Sequence, residues 1–154
     1  MRGAARARGA RAAAAETSIE FEVPFHDVDS VGIVWHGHYY KYLELARTAL
    51  LRARNLDASD LIALGFGMVM IESRCRHVAP LRYGDRARVV AWFRDVSHRI
   101  CIDYEIRKVG CGSRVARAQT VLATVTLDGR LLLCTPPEIG ERLAAAPLGA
   151  EAAR

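Results

Sequence analysis

Between Ser18 and Asp27, β-forming residues cluster around Phe21, Val23 and Phe25, which predicts a first strand. The period then lengthens. Tyr39, Tyr42, Leu43, Ala46, Leu50 and Ala53 recur at spacings of three and four, one apolar stripe on a helix from about Gly37 to Arg54. Glu44 and Arg47 stand i,i+3 on that helix, and Arg52 and Arg54 suit the negative end of its dipole. A shorter helix should follow, capped by Asp57 or Ser59 and ended by Gly65. The second half returns to strand periodicity. Gly67–Ala79, Arg86–Val96, Arg99–Val109 and Arg114–Leu127 alternate or run apolar, joined by turns such as Val109-Gly110-Cys111-Gly112 and Asp128-Gly129. A short strand over Arg130–Thr135, a stop at Pro136-Pro137 and a terminal helix over Glu138–Ala145 complete the reading. The fold class is α+β, one long central helix wrapped by a curved antiparallel sheet. Val90, Trp92, Ile100 and Ile102 would then need cover on one face of that sheet or the other.

Length and charge change this picture only at the chain ends. A chain of 154 residues suffices for one domain with a real core. The net charge of +5 is concentrated in the first sixteen residues, where Arg2, Arg6, Arg8 and Arg11 face only Glu16. The remaining body carries only a small positive excess, so a nucleic-acid surface is not expected. Residues 1–16 are Ala/Arg/Gly-rich with no large apolar residue after Met1, and are read as a disordered tail. An Arg-rich, acid-poor start also fits a transit peptide, though a misplaced start codon or a plain tail is the preferred reading. The domain is placed at residues 17–145, with a flexible C-terminus over 146–154. No apolar run reaches the length of a secretory signal or a membrane span, so membrane insertion is not expected. Cys75, Cys101, Cys111 and Cys134 form no Cys-x-x-Cys pair and read as reduced thiols of a cytoplasmic protein.

The candidate chemistry lies in Asp29-Ser30-Val31-Gly32-Ile33-Val34-Trp35-His36-Gly37-His38-Tyr39. A carboxylate leaves the first strand and the chain then opens a helix. Helix N-terminal N–H groups carry positive potential and suit an oxygen that becomes negative. Acid plus oxyanion stabiliser is a minimal kit for acyl transfer. His26, Asp27, Asp29, His36 and His38 crowd the same segment, but no cysteine joins them and no second histidine group lies near in sequence, so no metal is expected.

The stretch from Phe25 to Tyr40 resembles the signature of the 4-hydroxybenzoyl-CoA thioesterase family of hotdog-fold proteins. It is most similar to the short-to-medium acyl-CoA thioesterases associated with Tol–Pal operons. Tyr42-Leu43-Glu44-Leu45-Ala46-Arg47 fits the family's helix, and Pro80-Leu81-Arg82-Tyr83-Gly84-Asp85 fits its turn into the third strand. The resemblance spans about residues 18–142. It implies a hotdog fold and hydrolysis of an acyl thioester of coenzyme A, or of acyl carrier protein, without a cofactor. It also implies a homodimer with a continuous sheet, paired again into a homotetramer, with the site between subunits.

The resemblance places the catalytic carboxylate at Asp29, as nucleophile or as general base. The plain alternative is an aspartate that only caps a turn. Asp27 would share a strand face with Asp29, which makes a carboxylate pair with a raised pKa conceivable, although ordering the turn suits it better. At His36 the family uses the backbone N–H to polarise the carbonyl, and the imidazole could assist. His38 reads as a surface or interface residue. Gly32 and Gly37 permit close approach of a ligand to the backbone. Val34 and Tyr39 are placed among substrate-binding residues, with core packing equally open for Tyr39. Arg82 is the best candidate for a coenzyme A phosphate. Two rivals stand beside the hydrolase: a hotdog dehydratase or hydratase on hydroxyacyl thioesters, and a non-catalytic acyl-thioester binding module.

Overall fold

A computed structural model describes residues 16–145; the expected tail over residues 1–16 and the C-terminal segment 146–154 lie essentially outside it. Five strands form one antiparallel sheet: β1 (Thr17–Glu22), β2 (Phe66–His77), β3 (Arg86–Asp95), β4 (Ile100–Lys108) and β5 (Arg114–Thr126), in the order β1-β3-β4-β5-β2. Three α-helices accompany it: α1 (Tyr39–Arg52), α2 (Ala58–Leu64) and α3 (Pro137–Ala144). Among the described residues, no helix is long and apolar enough to cross a membrane.

Strand alternation decides which face meets α1. Ile19 and Phe21 on β1 pair with Val89 and Ala87 on β3, and the row continues through Ile106 on β4 to Ala116 on β5. These side chains close over Tyr42, Leu43, Ala46 and Leu50 of α1, which are all but inaccessible to solvent. Phe21 stacks on Tyr42 with ring centroids 4.0 Å apart. Each such fully buried large side chain contributes about 1.5–3 kcal/mol relative to exposure. Ile100 and Ile102 belong to this covered face, whereas Val90 pairs with Glu105 on the opposite one. That outer face is laced with charge: Arg86 and Arg88 meet Glu20, and Arg107, Arg114 and Arg117 surround Glu105. Register shifts at Met70/Glu72, Phe93/Asp95 and Ile106/Arg107 interrupt the ladders, and such bulges bend a sheet locally.

Several expectations need correcting. The first strand ends at Glu22, because Pro24 supplies no ladder donor and starts a 3-10 turn, Phe25–Asp27. Arg130–Thr135 forms no strand, only a bridge between Val125 and Leu131, before Pro136 leads into α3. The carbonyls of Leu132 and Leu133 turn instead to the Arg99 guanidinium, 3.2 Å from each. Arg54 does not serve its own helix dipole. It is buried, and its guanidinium donates to the Leu143 and Ala145 carbonyls, closing the C-terminal end of α3. Other boundaries fall close to expectation. Asp57 caps α2 through a capping box with Asp60, and Gly65 ends it at φ +85°.

Candidate active site

The segment joining β1 to α1 folds as a tight loop pinned at its base by a Val28–Val34 bridge. The Asp29 N–H donates to Ile33 (2.8 Å), and the Gly32 N–H returns to the Asp29 carbonyl (2.9 Å). Gly32 sits at φ +81°, a conformation that strains any residue with a Cβ. Asp29 also accepts the Val31 N–H on Oδ1 at 2.9 Å, an Asx turn. The turn-capping reading is therefore half realised. Oδ2 has no hydrogen-bond partner among the described residues, and the side chain is only partly covered.

The loop ends in a second 3-10 turn, His36–His38, that runs directly into α1. The Trp35 N–H is taken by the Asp27 carbonyl (3.0 Å) and the His38 N–H by the Trp35 carbonyl (2.9 Å). Among the described residues, the N–H groups of His36 and Gly37 have no acceptor. Two unspent donors thus stand at the positive end of a 14-residue helix. The His36 side chain is exposed, its ring 4.9 Å from the Trp35 indole. Trp35 folds back over Gly37, where a Cβ would lie 2.2 Å from the indole ring.

Asp27 departs most from expectation. It lies in the 3-10 turn and not in a strand, so it shares no strand face with Asp29. It is wholly buried, paired with the Lys41 ammonium and accepting the Tyr42 hydroxyl, with His38 Nε2 3.9 Å away. Burial opposes its ionisation, but the hydrogen bonds from Lys41 and Tyr42 and the Lys41 charge outweigh that, and its pKa is lowered. The conceivable raised carboxylate pair is absent. The same contact, after burial, pushes the Tyr42 hydroxyl well above the ordinary tyrosine range.

The other predicted residues divide. Val34 is buried, its N–H bonded to the Leu81 carbonyl at 2.8 Å. Tyr39 is buried too, its ring edge-on to His77 with centroids 4.5 Å apart. Arg82 comes near the loop: its Nη1 is 3.9 Å from where a Cβ of Gly32 would be. Sequence reading missed Lys41 and Tyr42 as partners of Asp27. Lys41 is the only lysine before residue 108, and that isolation beside an apolar stripe was the available signal. Among the described residues, no group of three or more His, Cys, Asp or Glu side chains is arranged to hold a metal ion.

The sequence pattern of the Thioesterase-like superfamily matches residues 23–146. The chain belongs to that superfamily. The five-stranded antiparallel sheet with its helix is the hotdog fold of these thioester hydrolases. The Bacillus subtilis protein named "Putative acyl-CoA thioesterase YneP" is 33% identical over 76 residues, 49% of this chain and 55% of that protein. The solved structures that share the fold include two named thioesterases. A 1,4-dihydroxy-2-naphthoyl-CoA thioesterase from Synechocystis superposes with a TM-score of 0.71 at 24% identity, covering 84% of this chain and 95% of the other. A 4-hydroxybenzoyl-CoA thioesterase mutant complexed with 4-hydroxybenzoyl-CoA gives 0.74 at 18% identity, covering 84% and 99%.

Proposed function

We propose that this thioester hydrolase cleaves acyl-CoA with Asp29 as its reacting carboxylate and the His36 and Gly37 N–H groups as its oxyanion donors. The observation carrying this is the pairing, within one pinned loop, of an unengaged carboxylate oxygen with two unengaged helix-terminal donors. Donors held before the reaction stabilise a developing oxyanion without reorganisation. Asp29 either attacks the thioester carbonyl, giving an anhydride that water opens, or takes a proton from the water that attacks. Both routes release a free acid and the coenzyme thiol, and neither calls on a cofactor.

The site is proposed to be completed by a second copy of the chain. β2 is an edge strand with Val69, Met70 and Ile71 exposed, and an apolar edge invites pairing. A β2–β2 homodimer, paired again as a tetramer, covers that edge. The four free cysteines favour a cytoplasmic location. The decisive experiment compares thiol release from acyl-CoA by the wild type and Asp29→Asn. Near-normal turnover in the variant would remove Asp29 from the chemistry. Light scattering that returned an active monomer would dismiss the shared site.

A further inference from the structure

The turn that carries the His36 and Gly37 donors has to be held from outside itself. Among the described residues, neither that 3-10 turn nor α1 is capped by a side chain at its start. Backbone bonds fix the chain as far as Trp35, through Val34 N–H to Leu81 (2.8 Å) and Trp35 N–H to Asp27 (3.0 Å). Beyond Gly37, the first turn of α1 comes back to the same aspartate. The Lys41 ammonium donates to one oxygen of the Asp27 carboxylate and the Tyr42 hydroxyl to the other. His26 and His38 stand farther off, 3.6 and 3.9 Å from Oδ1.

Asp27 is therefore bonded on both flanks of the two donors, by its carbonyl before them and by its carboxylate after them. Tyr42 brings rigidity to the second grip. It is 2% exposed and stacked on Phe21 of β1, so its hydroxyl is delivered from a fixed ring. Lys41 brings the charge. Its side chain is 44% exposed, yet its ammonium is committed to a carboxylate that water does not reach. Holding a long, half-solvated side chain in one geometry costs rotamer entropy, which the buried ion pair offsets.

We propose that Lys41 and Tyr42 are positioning residues of the reaction. By gripping Asp27 they set where the His36 and Gly37 N–H groups point relative to Asp29. The inference rests on the acyl-CoA reading above and deepens it, adding two side chains that touch no reacting atom. A donor displaced by about 1 Å can cost about 10²-fold in rate, because an oxyanion is stabilised only at hydrogen-bond distance. Apolar contact with an acyl chain is non-directional and tolerates the same shift. A loosened grip should therefore lower kcat and spare binding.

The test is steady-state thiol release from acyl-CoA, run well below each variant's melting temperature. Lys41→Met loses charge and donor and should lower kcat roughly 5–30-fold, whereas Tyr42→Phe, which loses only the hydroxyl, should lower it about 3–10-fold. KM, and the Kd of an S-alkyl coenzyme A thioether with no carbonyl to polarise, should stay within about twofold of the wild type. Lys41→Arg restores a charged donor and should recover most of the turnover. Asp27→Asn keeps its carbonyl and one acceptor oxygen, so it reports on charge more than on position. Ile139→Ala, a core truncation in α3, is the match for stability: it should melt earlier and keep its kcat. Full kcat in Lys41→Met and Tyr42→Phe, or kcat and thioether affinity lost in parallel, would overturn the positioning role. Lys41→Met, at a half-exposed side chain, keeps the test decisive should Tyr42→Phe fold poorly. Full hydrolysis by Asp29→Asn would instead sink the catalytic reading beneath it, a result distinct from an inactive Asp29→Asn beside a fully active Lys41→Met.

Discussion

Asp27 and Asp29 stand two residues apart in one loop and have opposite circumstances. Asp27 is buried, ionised and surrounded by Lys41, Tyr42 and His38. Asp29 is partly open to water, with one oxygen holding a turn and the other unengaged. A carboxylate fully occupied by fixed donors is a poor base and a poor nucleophile, because reaction would cost it those bonds. Asp27 therefore ties the loop to the first turns of α1, whereas Asp29 keeps one oxygen unengaged. The proposal that Asp29 is the reacting carboxylate rests on that difference in engagement, not on proximity in sequence.

The contrast can be broken from either side. The largest effect should come from Asp29→Asn, with a kcat loss of roughly 10²–10⁴ in steady-state thiol release and little change in KM. Its melting temperature should stay close to that of the wild type, since the amide oxygen still accepts the Val31 N–H. Asp27→Asn should show the reverse emphasis. It leaves the Lys41 charge facing an amide, and breaking a buried pair typically costs about 3–5 kcal/mol. Lys41 is partly solvated, so about 2–4 kcal/mol is expected, a melting-temperature drop of roughly 5–15 °C by calorimetry.

Acid sharpens the same contrast. The folded-state pKa of Asp27 lies below its unfolded value, so its contribution is fully present above the unfolded pKa of about 4 and fades as pH falls through the folded pKa. The stability gap between wild type and Asp27→Asn, measured by denaturant titration, should be constant near neutrality and close in strong acid. A gap that persisted there would mean that packing, not charge, sets it. The smallest effect should be that of His36→Ala. It keeps the backbone N–H, so about a tenfold loss in kcat is expected, against 10²–10³ for loss of an oxyanion donor. Abolished turnover in that variant, with activity retained in Asp29→Asn, would move the chemistry to an imidazole base.

What could be read in advance followed from periodicity and from motif. The stripe from Tyr39 to Leu50 placed α1, and the alternating second half placed four strands, because burial on one face imposes a fixed period. The loop from Asp29 to Gly37 stood out because its residue types are unusual together. Asp27 was misplaced because β-forming neighbours suggested a strand, while Pro24 and a side chain fourteen residues away decided otherwise. Arg54 was misread for the same reason: its acceptors belong to a helix nearly ninety residues later. Pairings across such separations leave no local trace. Arg130–Thr135 likewise begins to pair with β5, through Thr126 N–H to Arg130 and Leu132 N–H to Thr124, but goes no further, and Arg99, some thirty residues earlier, takes the Leu132 and Leu133 carbonyls.

The indole of Trp35 lying over Gly37 has a corollary for substitution. Every residue other than glycine at position 37 would put a Cβ inside that ring, so the half-exposed indole would have to swing aside to admit it. Gly37→Ala alone should displace the indole and disturb the start of α1, a change visible in the fluorescence of a chain with only two tryptophans. Paired with Trp35→Leu, the same alanine should become tolerable. On that expectation the two sites compensate each other: what the alanine disturbs alone, the smaller neighbour accommodates.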